Sequence, residues 1–359
     1  MFKSYAVLGA GLMGKATAYD LLQQNDTTEV ILADNSSEEL KKAAEFLNSS
    51  KLETRVFDAK NKPEIENLFQ NVDAAVAAIH YRFNVLFTKA AIKIKTHLCD
   101  LGGNNSIVDE QLKLSQEAEA AGISVIPDCG LAPGMVAILV RWGIEKFPWA
   151  DTVNIRVGGL PQNPKNKLKY EKLFSVGGLI NEYAEPVRVL RNGKIETIEP
   201  LTETEDIQFP GFKNLEAFTT SGGTSTLIET YKNQLKNLDY KTIRYSGHCN
   251  EIKELQKNGL FTCEYFEKDL SLCTEDTTLV KIVFKGTSQK KEITIADKTK
   301  PPFTSMMRMT AFPASIISQM QAREQIKNKG VLPQEKCVPV DLFISELEKR
   351  EIIIRGINY

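Results

Sequence analysis

Along the first 130 residues, short uninterrupted apolar runs alternate with longer amphipathic ones. "SYAVLGA" is followed by "MGKATAYDLLQQ", "EVILAD" by "SSEELKKAAEFLN", and "ETRVFDA" by "PEIENLF". The alternation continues through the apolar "DAAVAAI", the helical "LFTKAAIKIK", the strand-like "THLCDLG", the helical "DEQLKLSQEAEAAG" and the strand-like "ISVIPD". Apolar strands joined by helices imply parallel neighbours, because a parallel pair needs a crossover and the crossover is right-handed. The pattern predicts a Rossmann-type, doubly wound α/β sheet of about six parallel strands.

From about residue 150 the texture changes to longer alternating stretches such as "DTVNIRVGGL", "VRVLRNGKIETI", "YKTIRYSGH" and "TLVKIVFKG". Period-two alternation with few helical blocks predicts a second α+β domain with a mixed, largely antiparallel sheet. "SMMRMTAFPASIISQMQAREQI" (305–326) is helical again, which predicts a return to the first domain. The expected division is 1–130 with about 305–359 returning, and 131–304 as the substrate-binding and dimerisation domain. Between them, "IPDCGLAPG" turns into the helix "MVAILVRWGI", with Pro133 expected near its first turn.

Composition narrows the partners. The 45 Lys+Arg and 46 Asp+Glu nearly cancel and no basic cluster stands out, so neither nucleic acid nor an acidic membrane is an expected partner. A small molecule fits better. Six scattered cysteines without a CxxC pair predict free thiols in a reducing compartment, and three scattered histidines make no metal site. The opening "MFKSYAVLGAGLMG" lacks the charge pattern of a signal segment, and no apolar run approaches the roughly 18–20 residues of a membrane span. A cytoplasmic location is the expectation.

"YAVLGAGLMGKATAYDLL" places Gly9, Gly11 and Gly14 in G-x-G-x-x-G between the first strand and first helix. Gly9 permits the tight turn, Gly11 the approach of a pyrophosphate, and Gly14 the packing of helix on strand; the N–H groups of Leu12 and Met13 then face the phosphates. Asp34 ends the second strand about 20 residues on, where an acid accepts from the adenosine ribose hydroxyls. No arginine follows it in "DNSS", and Asp34 itself would repel a 2′-phosphate, so NAD is favoured over NADP. Asp58, ending "VFDA", and Ala78, ending the fourth strand, complete the candidate cofactor set.

Ligands of such sheets lie beyond the carboxyl ends of the strands. That edge carries "AAIHYRFN" up to Asn84, then Asp100 in "CDLGG" and Asp128 in "IPDCGLAPG". Carboxylates near a nicotinamide are candidate proton acceptors or ammonium-binding groups, or else helix N-caps. In the second domain, "SGGTSTL" with Ser221 and "YKTIRYSGH" with Arg244, Tyr245 and His248 supply candidate substrate contacts. Arginine offers a fork for a carboxylate, and histidine moves protons near neutrality. Cys129 reads as a small buried residue, and His80 and His97 as structural or surface residues.

Six blocks, "VLGAGLMGKATAYDL", "DLGGNN", "IPDCGLAPGM", "YEKLFSVGGLINEY", "LEAFTTSGGTSTL" and "YKTIRYSGH", occur in that order across most of the chain. In them the sequence resembles the saccharopine dehydrogenase (saccharopine reductase) superfamily, and most closely its lysine 6-dehydrogenase branch. The resemblance implies a cytoplasmic homodimeric oxidoreductase with an inserted substrate domain. Its implied reaction is NAD-dependent oxidation of the ε-amine of L-lysine to 2-aminoadipate 6-semialdehyde, which cyclises to a piperideine carboxylate. Asp100, Asp128 or Tyr170 would assist proton removal, and Arg244 would hold the α-carboxylate. The stretch 248–279 looks short against that branch, and "HYRFN" adds Arg82. Reductive amine–carbonyl coupling, as in saccharopine dehydrogenase or carboxynorspermidine-type synthases, is the alternative enzymatic reading, with Lys169, Lys172 or Arg82 as a second carboxylate anchor. A nucleotide-binding regulatory module without catalysis is the alternative of another class.

Overall fold

A computed structural model describes residues 2–357 and divides them into two compact units, 2–138 with 307–350, and 139–306 with 351–357. In chain order the first unit contributes β1 (Lys3–Leu8), β2 (Thr27–Asp34), β3 (Leu52–Val56), β4 (Ala74–Ala77), β5 (His97–Asp100) and β6 (Ser124–Ile126). The second contributes β7 (Thr152–Pro161), β8 (Val187–Arg191), β9 (Lys194–Ile198), β10 (Glu205–Phe209), β11 (Phe212–Thr219), β12 (Asn237–Tyr245), β13 (Asp276–Lys285) and β14 (Lys290–Lys298). After a long helix, Ser305–Ala322, β15 (Gly330–Val331) belongs again to the first unit.

The first sheet runs β15-β6-β5-β4-β1-β2-β3, all pairs parallel. It has the reversal of strand order between β1 and β4 that defines a doubly wound sheet. Successive residues of a strand face opposite sides. Ala6, Leu8, Ile31 and Ala33 accordingly pack into one core, and Tyr5, Val7, Val30 and Leu32 into another. Both faces are covered, which is why these strands read as continuous apolar runs.

The seventh strand, β15, is one more than the sequence pattern predicts; two residues are too few to register as a periodic run. The return that brings it is clamped by polar bonds. Buried Asp20 accepts from Arg350 Nε (2.7 Å) and Ser315 Oγ (2.7 Å), and Gln321 Nε2 donates to Leu98 O and Ser124 O. His97 is part of this frame: its Nδ1 accepts from Ser124 N while Nε2 meets Glu324. Residues 351–357 depart from the expected return, because Thr294 and Arg355 exchange backbone bonds and hold them to the second unit.

The second sheet runs β10-β11-β12-β7-β13-β14, with the β8–β9 hairpin attached to β12. Only β12 and β7 pair in parallel, so the sheet is mixed and largely antiparallel.

Pro133 is a correction to the sequence reading. Ala132–Gly134 have non-helical dihedrals and the helix proper begins at Val136. A residue before proline is pushed to extended conformations, as Ala132 is, and Gly134 at φ +124° cannot continue a helix.

Candidate functional site

In the first unit, Gly9 (φ +106°) ends β1, and its N–H bonds Ala33 O. A Cβ on Gly14 would lie 1.7 Å from Gly9 O, so only glycine lets the helix Leu12–Leu22 start so close to the strand. A Cβ on Gly11 would meet nothing within 4 Å. Packing does not require that glycine; open space lies in front of it. Gly11 is the N-cap and offers no side chain, and the first intrahelical bond runs from Lys15 N to Gly11 O. The N–H groups of Leu12 and Met13 therefore have no intrahelical partner. This donor set fits a pyrophosphate.

Asp34 ends β2 with Oδ2 accepting from Ala10 N (2.8 Å) and Oδ1 from Ser36 N (2.9 Å). It ties the glycine turn to the start of the next helix, and a carboxylate has further lone pairs for ribose hydroxyls. Ala78 follows β4 and its carbonyl faces Gly9. Asp58 is exposed and accepts from Lys60 N (2.9 Å), so it organises the turn before the helix Lys62–Phe69.

The strand-end acids differ from one another. Asp100 has no exposed surface. Oδ1 accepts from Gly102 N (2.8 Å) and Asp128 N (3.1 Å), and Oδ2 from Gln111 Nε2 (2.8 Å). Burial raises its carboxyl above the ordinary range while these three donors pull the other way. It is placed as a brace between two loops, away from any open surface. Asp128 adopts φ +60° and abuts Gly102, and its carbonyl accepts from Gln334 Nε2 (2.7 Å). Asn84 is buried at the start of the helix Asn84–Ile94, and its carbonyl accepts from Thr88 Oγ1 (2.8 Å). Arg82 lies over the Phe83 ring at 4.7 Å. Cys129 is fully buried, and burial pushes its thiol well up, which leaves it a packing residue.

In the second unit the centre is Arg244 on β12, 3 % exposed. Its Nε donates to Tyr183 Oη (2.9 Å) and its Nη1 to Ile243 O (3.0 Å), and the Tyr170 ring lies 4.8 Å from the guanidinium carbon. Nη2 makes no hydrogen bond among the described residues; Glu182 Oε2 stands 3.9 Å away. Burial works against the guanidinium's charge, but Tyr183, Tyr170 and Glu182 outweigh it and hold the group above its ordinary range.

His248 does not act as the proton carrier its type implied. Its Nδ1 lies 2.8 Å from Leu168 O, which can only accept, so Nδ1 carries the proton. Burial, reinforced by Arg244, pushes the ring down to about 3, so it is neutral and Nε2 accepts. Tyr183 Oη, 3.1 Å away, therefore donates to Nε2 and accepts from Arg244 Nε. Histidine and tyrosine together fix the guanidinium. Tyr183→Phe is expected to leave a buried N–H of Arg244 unpaired, costing about 1–3 kcal/mol in equilibrium urea unfolding.

Tyr245 is another correction. It faces the opposite side of the sheet from Arg244, packing with Ile243 and Leu160 and donating to Pro161 O (2.9 Å). Tyr170 does join the Arg244 cluster, with its phenol pushed above the ordinary range by burial, so it is a neutral hydroxyl. Ser221 supports the cluster: its N–H donates to Glu182 O (2.9 Å) and its hydroxyl to Asn181 O (3.0 Å), joining the "SGGTST" loop to the helix Val176–Ala184. Glu182 and Tyr183 on that helix escaped the sequence reading. The signal available was the acid that follows the apolar "GGLI" in "GGLINEY".

Two family models together match most of the chain. The saccharopine dehydrogenase NADP binding domain matches residues 5–126 and the saccharopine dehydrogenase C-terminal domain matches residues 130–353. The chain belongs to the saccharopine dehydrogenase family. Mitochondrial alpha-aminoadipic semialdehyde synthase of Bos taurus is 25 % identical over 309 residues, which is 81 % of this chain and 32 % of that protein. Saccharopine dehydrogenase [NADP(+), L-glutamate-forming] of Pyricularia oryzae is 24 % identical over 273 residues, 73 % of this chain and 59 % of that one. The chain thus spans a third to three-fifths of these relatives' lengths. Among solved structures, apo saccharopine dehydrogenase (L-Glu forming) of Saccharomyces cerevisiae superposes with a TM-score of 0.79 at 17 % identity, covering 99 % of this chain and all of that one. Homospermidine synthase of Legionella pneumophila, solved with NAD, gives 0.74 at 10 % identity, covering 100 % and 92 %. Both share the fold. No helix of the described residues is long and apolar enough to cross a membrane.

Proposed function

We propose that this member of the family oxidises the ε-amine of L-lysine with NAD, giving 2-aminoadipate 6-semialdehyde, and that it works as a cytoplasmic homodimer. The observation that carries the substrate reading is Arg244: a buried guanidinium, pinned on one edge and free at Nη2, is a carboxylate anchor. For the cofactor, Asp34 favours NAD, since a carboxylate clasping the glycine turn repels a 2′-phosphate. Gly11, Leu12 and Met13 would seat the pyrophosphate. When bound, the nicotinamide supplies the hydride acceptor.

The protein's share of the chemistry is positional and acid–base. An alkylammonium with a pKa of roughly 10.4 must lose a proton before its carbon can give up hydride. Of the strand-end acids we assign that proton to Asp128, because the Asp100 carboxylate is already held by three protein donors that brace two loops. The product iminium then takes up water and releases ammonia. Arg244 holds the substrate's α-carboxylate, while Tyr170 and Tyr183 stay neutral and line the guanidinium.

Reductive coupling to a dicarboxylate is less well supported. Lys172 is paired with Glu267 (2.6 Å), Lys169 donates to Ser246 O (3.0 Å) and Arg82 rests on Phe83, so each proposed second anchor is engaged. The test is NADH formation with L-lysine, compared with saccharopine and with NADP in place of NAD. Turnover of L-lysine with NAD at least tenfold more efficient than with NADP is the expected result; turnover of saccharopine alone would replace the reading with the coupling reaction.

A further inference from the structure

Glu182 is the residue near Arg244 that the proposed reaction does not use. It lies near the end of the helix Val176–Ala184, and its backbone carbonyl is fixed by Ser221 N. Its side chain keeps 30 % of its surface exposed, so a ligand can reach it, whereas Arg244 keeps 3 %. The carboxylate makes no hydrogen bond among the described residues. Its Oε2 faces Arg244 Nη2 at 3.9 Å, a separation at which neither group satisfies the other.

That gap has a cause. A guanidinium and a carboxylate that exist only to neutralise each other close to about 2.7–2.9 Å. Here the guanidinium cannot swing toward Glu182, because Tyr183 and Ile243 O hold its inner edge and the Tyr170 ring lies against it. The nearest acid across the sheet offers no alternative partner. Glu216, opposite Arg244 on β11, is consumed by the N–H groups of Gly247 (2.9 Å) and Cys249 (2.7 Å) at the start of the helix His248–Lys257. A cation and an anion are thus left side by side, each with unused hydrogen-bonding capacity.

We infer that Arg244 and Glu182 form a subsite for the two charges of an α-amino acid, Arg244 taking the carboxylate and Glu182 the α-ammonium. The inference rests on the reading that the substrate brings its α-carboxylate to Arg244. One carbon carries both charges in an amino acid, so adjacent partners of opposite sign match it. The same arrangement discriminates. A plain diamine leaves Arg244 unpaired, and a second carboxylate on the α-carbon would meet Glu182 with like charge. Partial burial pushes the Glu182 carboxyl up to about 7, with Arg244 pulling the other way.

The experiment measures calorimetric binding and steady-state turnover, with NAD, for L-lysine and for 6-aminohexanoate, which keeps the carboxylate and the reacting amine but lacks the α-amino group. Glu182→Gln is expected to weaken L-lysine about 10- to 100-fold while changing 6-aminohexanoate less than about twofold. Glu182→Asp, which keeps the charge, should recover part of the loss, and Arg244→Lys should weaken both ligands. If Glu182→Gln weakens both ligands equally, or lowers kcat for both, Glu182 serves the reacting amine and the inference is overturned with the lysine reading intact. If it weakens neither, the inference is likewise overturned. If the unmodified protein binds neither ligand, the reading of Arg244 as an amino-acid anchor falls as well.

Discussion

Arg244→Met is expected to lower kcat/KM for L-lysine by about 2–4 kcal/mol, or roughly 30- to 1,000-fold, with most of the loss in KM. The argument starts from burial. An arginine 3 % exposed has exchanged its hydration for two protein acceptors and the faces of two aromatic rings, so its remaining donor capacity faces a site with little water. A carboxylate arriving there gains a charge-assisted bond that methionine cannot offer. Methionine fills similar volume but leaves Tyr183 Oη and Ile243 O without their donor and Glu182 without its nearby cation. A loss of about 1–3 kcal/mol in urea unfolding is therefore expected alongside the loss of substrate affinity. Arg244→Lys keeps the charge but not the fork and is expected to fall between the two. An unchanged KM in the methionine variant would remove Arg244 from substrate binding.

The second large effect separates two glycines of one turn. Gly14→Ala would place a Cβ 1.7 Å from a backbone oxygen, and no flexible side chain is there to yield. A loss of about 3 kcal/mol or more in urea unfolding is expected, together with loss of nucleotide binding, because strand and helix must separate. Gly11→Val has no such clash, since nothing stands within 4 Å of its Cβ direction. Its stability should fall by no more than about 1 kcal/mol, the scale of losing a favourable N-cap. NADH affinity should drop by about 100-fold, read by fluorescence titration, as the branched side chain occupies the approach to the N–H groups. Normal NADH binding by Gly11→Val would mean that the cofactor does not lie over that turn.

The two glycines also mark what a sequence can disclose. Gly9, Gly11, Gly14 and Asp34 lie in one short segment whose geometry is local, and a strand–turn–helix context constrains them almost completely. The sheet order follows similarly from apolar runs and crossover rules. Tyr245 was within reach too: in a strand with period two, residues 244 and 245 cannot face one side, so accepting Arg244 into a site excludes its neighbour.

The roles of Asp100 and His248 are not legible in this way. Their chemical type suggests proton transfer, but their role depends on donors and acceptors brought from distant segments: Gln111 and Asp128 N for one, Leu168 O and Tyr183 for the other. Tyr183 and Arg244, bonded here, are 61 positions apart in the chain. Nothing in the local pattern of either reports the other, and the same distance hid Glu182.

The wiring of that cluster has a consequence for how the protein trades robustness against affinity. Facing Glu182 are Arg244 and the phenols of Tyr170, Tyr183 and Tyr240, all held above their ordinary ranges, while His248 beyond them titrates near 3. Between about pH 4 and 9, Glu182 is the member of this group that changes charge. Its folded carboxyl is raised toward 7 from an ordinary value of 4.5, so the stability it contributes is present in full below about pH 4.5 and is lost as pH rises from there through 7. Amino-acid affinity moves the opposite way, since the ammonium needs the ionised form. Unfolding free energy should therefore fall between about pH 4.5 and 7 and level off above, lysine affinity should rise through about 7, and Glu182→Gln should flatten both.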